Sequence, residues 1–222
     1  MIGTSVAQDS SYQVKINLNP DNHDYWWLNN NNNGKDFNKK IVDFRWGFEN
    51  KSTEYQIMLS NGLSLENKLY IGESFIKKKL SKNVSIKLGK YYRDFSLYLN
   101  DNLSSGSMLI SHNAEPMPKI GLSGLLPYNR NKNISFDWGI SHGKFDKNEY
   151  YSKAPFLHEK FIYINFKKNN QQFSFGLVHE AVWSGTTIQG YHKGRQPGEI
   201  EDFFKVFISA DGPLREGEVH AN

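Results

Sequence analysis

Seven histidines offer the first chemistry to weigh: His23, His112, His142, His158, His179, His192 and His220. None forms an i, i+4 pair or joins a carboxylate at ligand spacing. The two His-Glu dipeptides, His158-Glu159 and His179-Glu180, send their side chains to opposite faces of a strand. No metal centre is expected. Cysteine is absent, so there is no thiolate ligand, no thiol nucleophile and no disulfide framework. Glycoside hydrolysis requires two carboxylates across a cleft. Glu115, Glu159, Glu180, Glu199 and Asp202 are available, but no spacing pairs any two of them. Ser111-His112-Asn113 supplies the residue types of a serine hydrolase, yet neighbours on one strand point apart and cannot form a relay. The chain therefore reads as non-catalytic, with no cofactor.

Binding chemistry concentrates between His179 and Arg195. Trp183 and Tyr191 offer flat apolar faces to sugar rings. Ser184, Thr186, Thr187 and Gln189 offer hydroxyl and amide partners. Lys193 and Arg195 suit acidic sugars, the guanidinium in bidentate fashion. Gly185, Gly190, Gly194 and Gly198 permit close backbone approach. A solvated loop with Trp183 in an aromatic girdle remains the competing reading. A second candidate is the stretch 103–122, LSSGSMLISHNAEPMPKIGL. Pro116 and Pro118 remove backbone donors and hold their predecessors extended. The segment should leave a sheet as a stiff strap and re-enter it near Lys119-Ile120-Gly121. It serves either as a structural crossing or as a wall that turns Ser111, His112 and Asn113 toward a ligand path.

The elements that must position these groups are strands. Val42, Phe44, Trp46 and Phe48 alternate with Asp43, Arg45, Gly47 and Glu49, a period-two pattern with one oily and one wet side. After Asn50-Lys51-Ser52, the return strand puts Tyr55, Ile57 and Leu59 opposite Glu54, Gln56 and Ser60. Asn61-Gly62 is a tight-turn signal. Further strands are expected at Tyr12–Leu18, Leu69–Leu80, Val84–Tyr92, Ile134–Ser141, and Phe161–Phe166 with Phe173–Val178 around the turn 167–170. The last expected strand is Phe203–Ile208. Gly143–Ala154 reads as a charged, Tyr-rich loop, and Thr186–Ile200 as Gly-rich and polar. This totals about nine or ten strands, with no helical period and with alternating short and long connections, an antiparallel meander.

The 222 residues can bury a substantial core as one domain. Residues 1–8, MIGTSVAQ, read as the remnant of a signal peptide or a disordered tail. Residues 9–222 read as a single partial barrel domain that breaks off within an alternating pattern. The net charge is +4, with scattered lysines, and no basic stripe with interleaved aromatics supports a nucleic-acid partner. Lys77-Lys78-Lys79 is the one tight cluster, read as a strand end in a polar layer or, alternatively, as a contact for lipopolysaccharide phosphates. Alternation alone fits a soluble sandwich as well as a barrel. Charges within strands (Asp43, Arg45, Glu54, Lys87, Asp137) favour a wet lumen. Aromatics at strand ends (Tyr25-Trp26-Trp27, Tyr91-Tyr92, Tyr150-Tyr151) favour membrane-interface girdles.

The 103–122 segment, with SSGS followed by S.NA.P.PKI, resembles the signature of the capsule assembly Wzi family of outer-membrane proteins. Two further blocks agree in order: His158-Glu159-Lys160 with GLVHEAVWSGTT (176–187), and EDFFKVFISADG (201–212). The resemblance covers roughly residues 100–222. Upstream only the strand pattern and LYIGESFIKKKL…LGKYY support it. It implies an all-β fold, an antiparallel meander forming part of a transmembrane outer-membrane β-barrel truncated at its C-terminus. It also implies lectin-like, non-catalytic retention of capsular polysaccharide, with outer-membrane lipid as the other partner, and a monomer is expected. No established ligand residue of the family maps onto a numbered position here. The binding residues expected from this sequence are Trp183, Tyr191, Arg195, Lys193, Gln189, His112 and Asn113. A porin-like or transport barrel is the alternative, and a soluble secreted sandwich adhesin a third.

Overall fold

The structure is a computed structural model that describes residues 9–17, 41–50, 52–62, 69–94, 110, 115–128, 130–189 and 193–210. Among the described residues the strands are β1 (Asp9–Asn17), β2 (Ile41–Glu49), β3 (Thr53–Gly62), β4 (Leu69–Ile71), β5 (Ser74–Lys79), β6 (Val84–Tyr91) and β7 (Met117–Pro127). They continue as β8 (Ile134–Lys144), β9 (Tyr151–Lys153), β10 (Phe156–Lys168), β11 (Gln171–Trp183), β12 (Thr186–Thr187) and β13 (Gly194–Arg195), followed by one helix, α1 (Ile200–Phe207). A 10-stranded antiparallel sheet runs β1-β2-β3-β5-β6-β7-β8-β10-β11, with β4 also paired to β3. Its edges, β1 and β11, do not meet. A second sheet has the order β13-β12-β9. No described helix is long and apolar enough to cross a membrane.

The meander follows the local chemistry. Four hairpins close over 50–52, 80–83, 128–133 and 169–170, all on one rim, while the connections 92–116 and 145–155 on the other rim are longer. Asparagine makes the tight ends. Asn50 Oδ1 accepts the Ser52 and Thr53 N–H groups at 2.9 and 2.8 Å, and Asn131 Oδ1 accepts that of Asn133 at 3.0 Å. Asn169 takes a left-handed φ of 53°, which its short polar side chain tolerates.

Residues directly opposite each other in antiparallel strands share a face. One row reads Glu159, Ser141, Gly121, Lys87, Lys77, Glu54; the next reads His158, His142, Ile120, Leu88, Ile76, Tyr55. The burial of the two faces is the reverse of a soluble sheet. On the wet face Lys119 and Glu159 are only 4% and 3% exposed, whereas on the oily face Leu177 is 77% and Leu88 57% exposed. Along 42–49 Asp43 is buried and Phe44 exposed in the same sense, whereas Arg45 and Glu49 on the wet face are exposed as well and Phe48 is half-buried.

Three expectations are corrected. Phe203–Ile208 is not a strand, since residues 200–207 form α1. Asp202 accepts the Glu199 N–H at 2.9 Å as one arm of a capping box, and Lys205 pairs with Glu201 one turn earlier at 2.8 Å. Asn61-Gly62 makes no turn, because both residues lie inside β3, where Gly62 pairs with Ile41 and Asn61 with Leu69. Leu69–Leu80 is two strands rather than one. The chain breaks at Gly72–Glu73, where the Glu73 carboxylate leaves the ladder to accept the Tyr92 N–H at 3.1 Å.

Candidate functional site

The wet face near the long-loop rim holds a dense polar cluster. Lys119 follows the two prolines into β7, and its ammonium donates to Glu159 Oε2 at 2.8 Å and Oε1 at 3.2 Å, and also to the Tyr92 carbonyl. Ser141 on β8 donates its hydroxyl to Glu159 Oε2 at 2.5 Å. Lys87 bonds Asp94 at 2.9 Å. The Tyr91 ring lies between the two ammonium groups, its centroid 4.2 Å from Lys87 Nζ and 4.7 Å from Lys119 Nζ, a desolvated cation–π arrangement. The ring fits because residue 121 is glycine: a Cβ there would stand 2.6 Å from the Tyr91 hydroxyl.

Next to the cluster, Arg93 Nη1 donates to the Ile110 carbonyl at 3.0 Å. Burial, and then the carboxylates of Glu73 and Glu115, raise the Tyr92 phenol well above its ordinary range, so it stays protonated. Glu159 thus accepts three hydrogen bonds, two from Lys119 and one from Ser141. The cluster ties β7, β8 and β10 together.

On the oily face α1 covers a patch beside the same rim. His158 is fully buried, and its Nδ1 lies 3.3 Å from His142 Nε2. Phe203 stacks on His142 (centroids 5.1 Å) and Phe207 on His158 (5.9 Å). Lys160 caps the helix by donating to the Phe207 carbonyl at 2.5 Å. His179 joins this face, its ring 5.9 Å from His158. No group of His, Cys, Asp or Glu among the described residues has the arrangement to hold a metal ion.

The block expected to bind sugars divides. Trp183 packs between Phe156 and Phe203 at 5.2 and 5.7 Å, so the helix takes up much of its stacking surface. Gln189, Lys193 and Arg195 sit on or beside the small β13-β12-β9 sheet. Gln189 Nε2 donates to the Glu149 carbonyl at 3.3 Å, Lys193 is exposed, and Arg195 pairs with Glu199 at 2.8 Å in full view of solvent. Tyr191, His112 and Asn113 lie outside the described residues.

The little sheet also brings in residues that sequence reasoning missed. Lys153 and Arg195 both oppose Thr186 and so share one face with it, and Tyr150 beside them is exposed. The Tyr-rich composition of 143–154 was a usable signal, but the pairing of β9 with β12 was not. The left-handed Ser184-Gly185 pair (φ 61° and 84°) makes the corner that folds this segment back, and the Ser184 N–H bonds the Pro197 carbonyl at 2.8 Å. No family model, no curated protein and no solved structure matches the chain.

Proposed function

We propose that this chain is part of the wall of an outer-membrane β-barrel that retains capsular polysaccharide at its long-loop rim by non-catalytic binding. The observation that carries the reading is the inverted sheet, with charged side chains buried on one face and a continuous apolar face left open on the other. Water tolerates scattered exposed apolar residues but not a whole apolar face of this extent. Acyl chains favour it, and a barrel satisfies every backbone group of such a wall. Short hairpins on one rim and long connections on the other support the same reading.

The polysaccharide role follows the sequence resemblance and is supported by the rim sheet. Lys153, Lys193 and Arg195 are exposed cations flanked by Thr186, Gln189 and the open ring of Tyr150, a set that matches an acidic sugar chain. Contacts of this kind are individually weak and wet, and repeats along a polymer supply avidity. Lys193→Ala with Arg195→Ala is expected to lower capsule retention by whole cells while leaving membrane insertion unchanged. Full retention by the double variant rejects the site. A conducting channel in planar bilayers would favour the porin reading.

A further inference from the structure

Three of the four short hairpins share a charge pattern, while the fourth, β2–β3 on the same rim, is flanked by Glu49 and Glu54. Each of three successive turns, β5–β6, β7–β8 and β10–β11, brings two cations: Lys79 and Lys82, Arg130 and Lys132, Lys167 and Lys168. No carboxylate lies in residues 79–83, 128–133 or 167–170. All six side chains are exposed, and among the described residues none is in an ion pair. On the opposite rim Lys90, Arg195 and Lys205 each have a carboxylate partner, Glu115, Glu199 and Glu201 respectively, while Lys153 and Lys193 are exposed and in no ion pair among the described residues. Like charges crowded without counter-charge repel one another, and their juxtaposition is stable only beside an external anion or in free solvent.

A second observation says what the anion belongs to. Just inside this rim, on the oily face, stand Tyr128, Phe136, Phe166 and Phe173. Tyr128 and Phe136 meet edge to face at 6.4 Å, as do Phe166 and Phe175. Phe166 and Phe173 are largely exposed. Aromatic side chains at this level settle at the boundary between acyl chains and headgroups. The cations one step farther out then lie at the depth of the lipid phosphates.

We infer that the short-hairpin rim is a binding collar for the headgroups of anionic phospholipids, with the aromatic band fixing its depth. The inference rests on the barrel reading above. A cation near an anionic surface gains about five-fold in local association, so several acting together give a selective annulus of lipid.

The test uses the full chain folded into phosphatidylcholine vesicles that carry a trace of spin-labelled phosphatidylglycerol or spin-labelled phosphatidylcholine. The fraction of each label immobilised at the protein surface is compared. The expected result is several-fold enrichment of the glycerol lipid at low salt, falling toward unity in high salt. The variant K79Q/K82Q/R130Q/K132Q/K167Q/K168Q should lose the enrichment, and the milder Lys167→Gln with Lys168→Gln should lose part of it and guards against misfolding of the larger set. Equal immobilisation of both lipids by the wild-type chain overturns the collar while leaving the barrel reading intact. Enrichment that persists unchanged in both variants overturns it too. Immobilisation of neither lipid overturns the barrel reading and the collar together.

Discussion

Lys119 reaches across a whole strand to Glu159. The lysine stands on β7 and the glutamate on β10, with β8 between them, and the ammonium meets Oε2 at 2.8 Å. The side chain passes over Gly143, where a Cβ would stand 2.7 Å from Lys119 Cγ. Three neighbouring strands are thus clamped by one buried ion pair, with Ser141 as the second donor to Glu159.

Removing one partner of this pair should cost more than removing both. Glu159→Ala leaves an ammonium buried at 0% side-chain exposure without its counter-charge, and the expected loss is about 3–5 kcal/mol. Lys119→Met with Glu159→Leu removes the charge along with the partner and should recover most of that loss. Urea midpoints of the folded chain in detergent micelles decide the matter. Equal destabilisation by the single and double variants would show that the pair contributes nothing beyond its packing.

The open apolar face yields a sharper test of the membrane. Leu177 is among the most exposed residues of the sheet. In a water-soluble protein Leu177→Arg at such a site changes stability by no more than about 0.5 kcal/mol. Facing acyl chains near mid-depth, the same change costs about 2–4 kcal/mol. Folding equilibria into lipid vesicles would separate the two, and a near-zero cost there would remove the main support for the barrel.

The parity of each strand was legible because a period of two needs no knowledge of partners: Asp43 against Phe44, or Lys87 against Leu88, can be sorted from the sequence alone. Which strands lie side by side, and at what stagger, could not be read. Lys119 and Glu159 are 40 residues apart and on strands that do not touch, so no local pattern announces their meeting. The same limit hid the partnership of Lys153 with Arg195 through Thr186. Helix α1 was missed for a different reason. Six of its nine residues through Ile208 are apolar, so alternation and helical spacing both find support, and the capping residues Glu199 and Asp202 decide the outcome. Once helical, the segment turns Phe203 toward the sheet, sets one side of Phe207 against His158 and leaves Ile200, Phe204, Ile208 and the rest of Phe207 in the open, a second apolar stripe that suits a membrane interface.

Undocking α1 should be visible through Trp183. The indole packs on Phe203 at 5.7 Å, and Phe203→Ala removes that cover together with the ring on His142. The expected outcome is a change in Trp183 emission and faster proteolysis between β11 and α1, with the sheet left intact by circular dichroism. Because four other tryptophans contribute to the emission, the comparison is made against a Trp183→Phe background. An emission difference that survives in that background would place the effect elsewhere.

The wet face is also held by rings laid over glycines, and that arrangement predicts a specific rescue. A Cβ on Gly139 would stand 2.3 Å from Phe161 Cε1, and one on Gly176 would stand 2.2 Å from the Tyr163 ring. Phe161 opposes Gly139, and Tyr163 opposes Gly176, in the strand register, so each ring covers the bare backbone across from it. Gly139→Ala forces the Phe161 ring off its site at a cost of about 1–3 kcal/mol. Phe161→Leu alone loses part of a buried aromatic contact, but the smaller side chain leaves room for the alanine methyl. The double variant should therefore be more stable than the sum of the two single losses by about 0.5–3 kcal/mol of coupling. The same cycle run with Gly47→Ala, on distant β2, and Phe161→Leu should give no coupling. A comparable coupling in both cycles would mean that the strain spreads through the sheet rather than residing in the opposed ring and glycine.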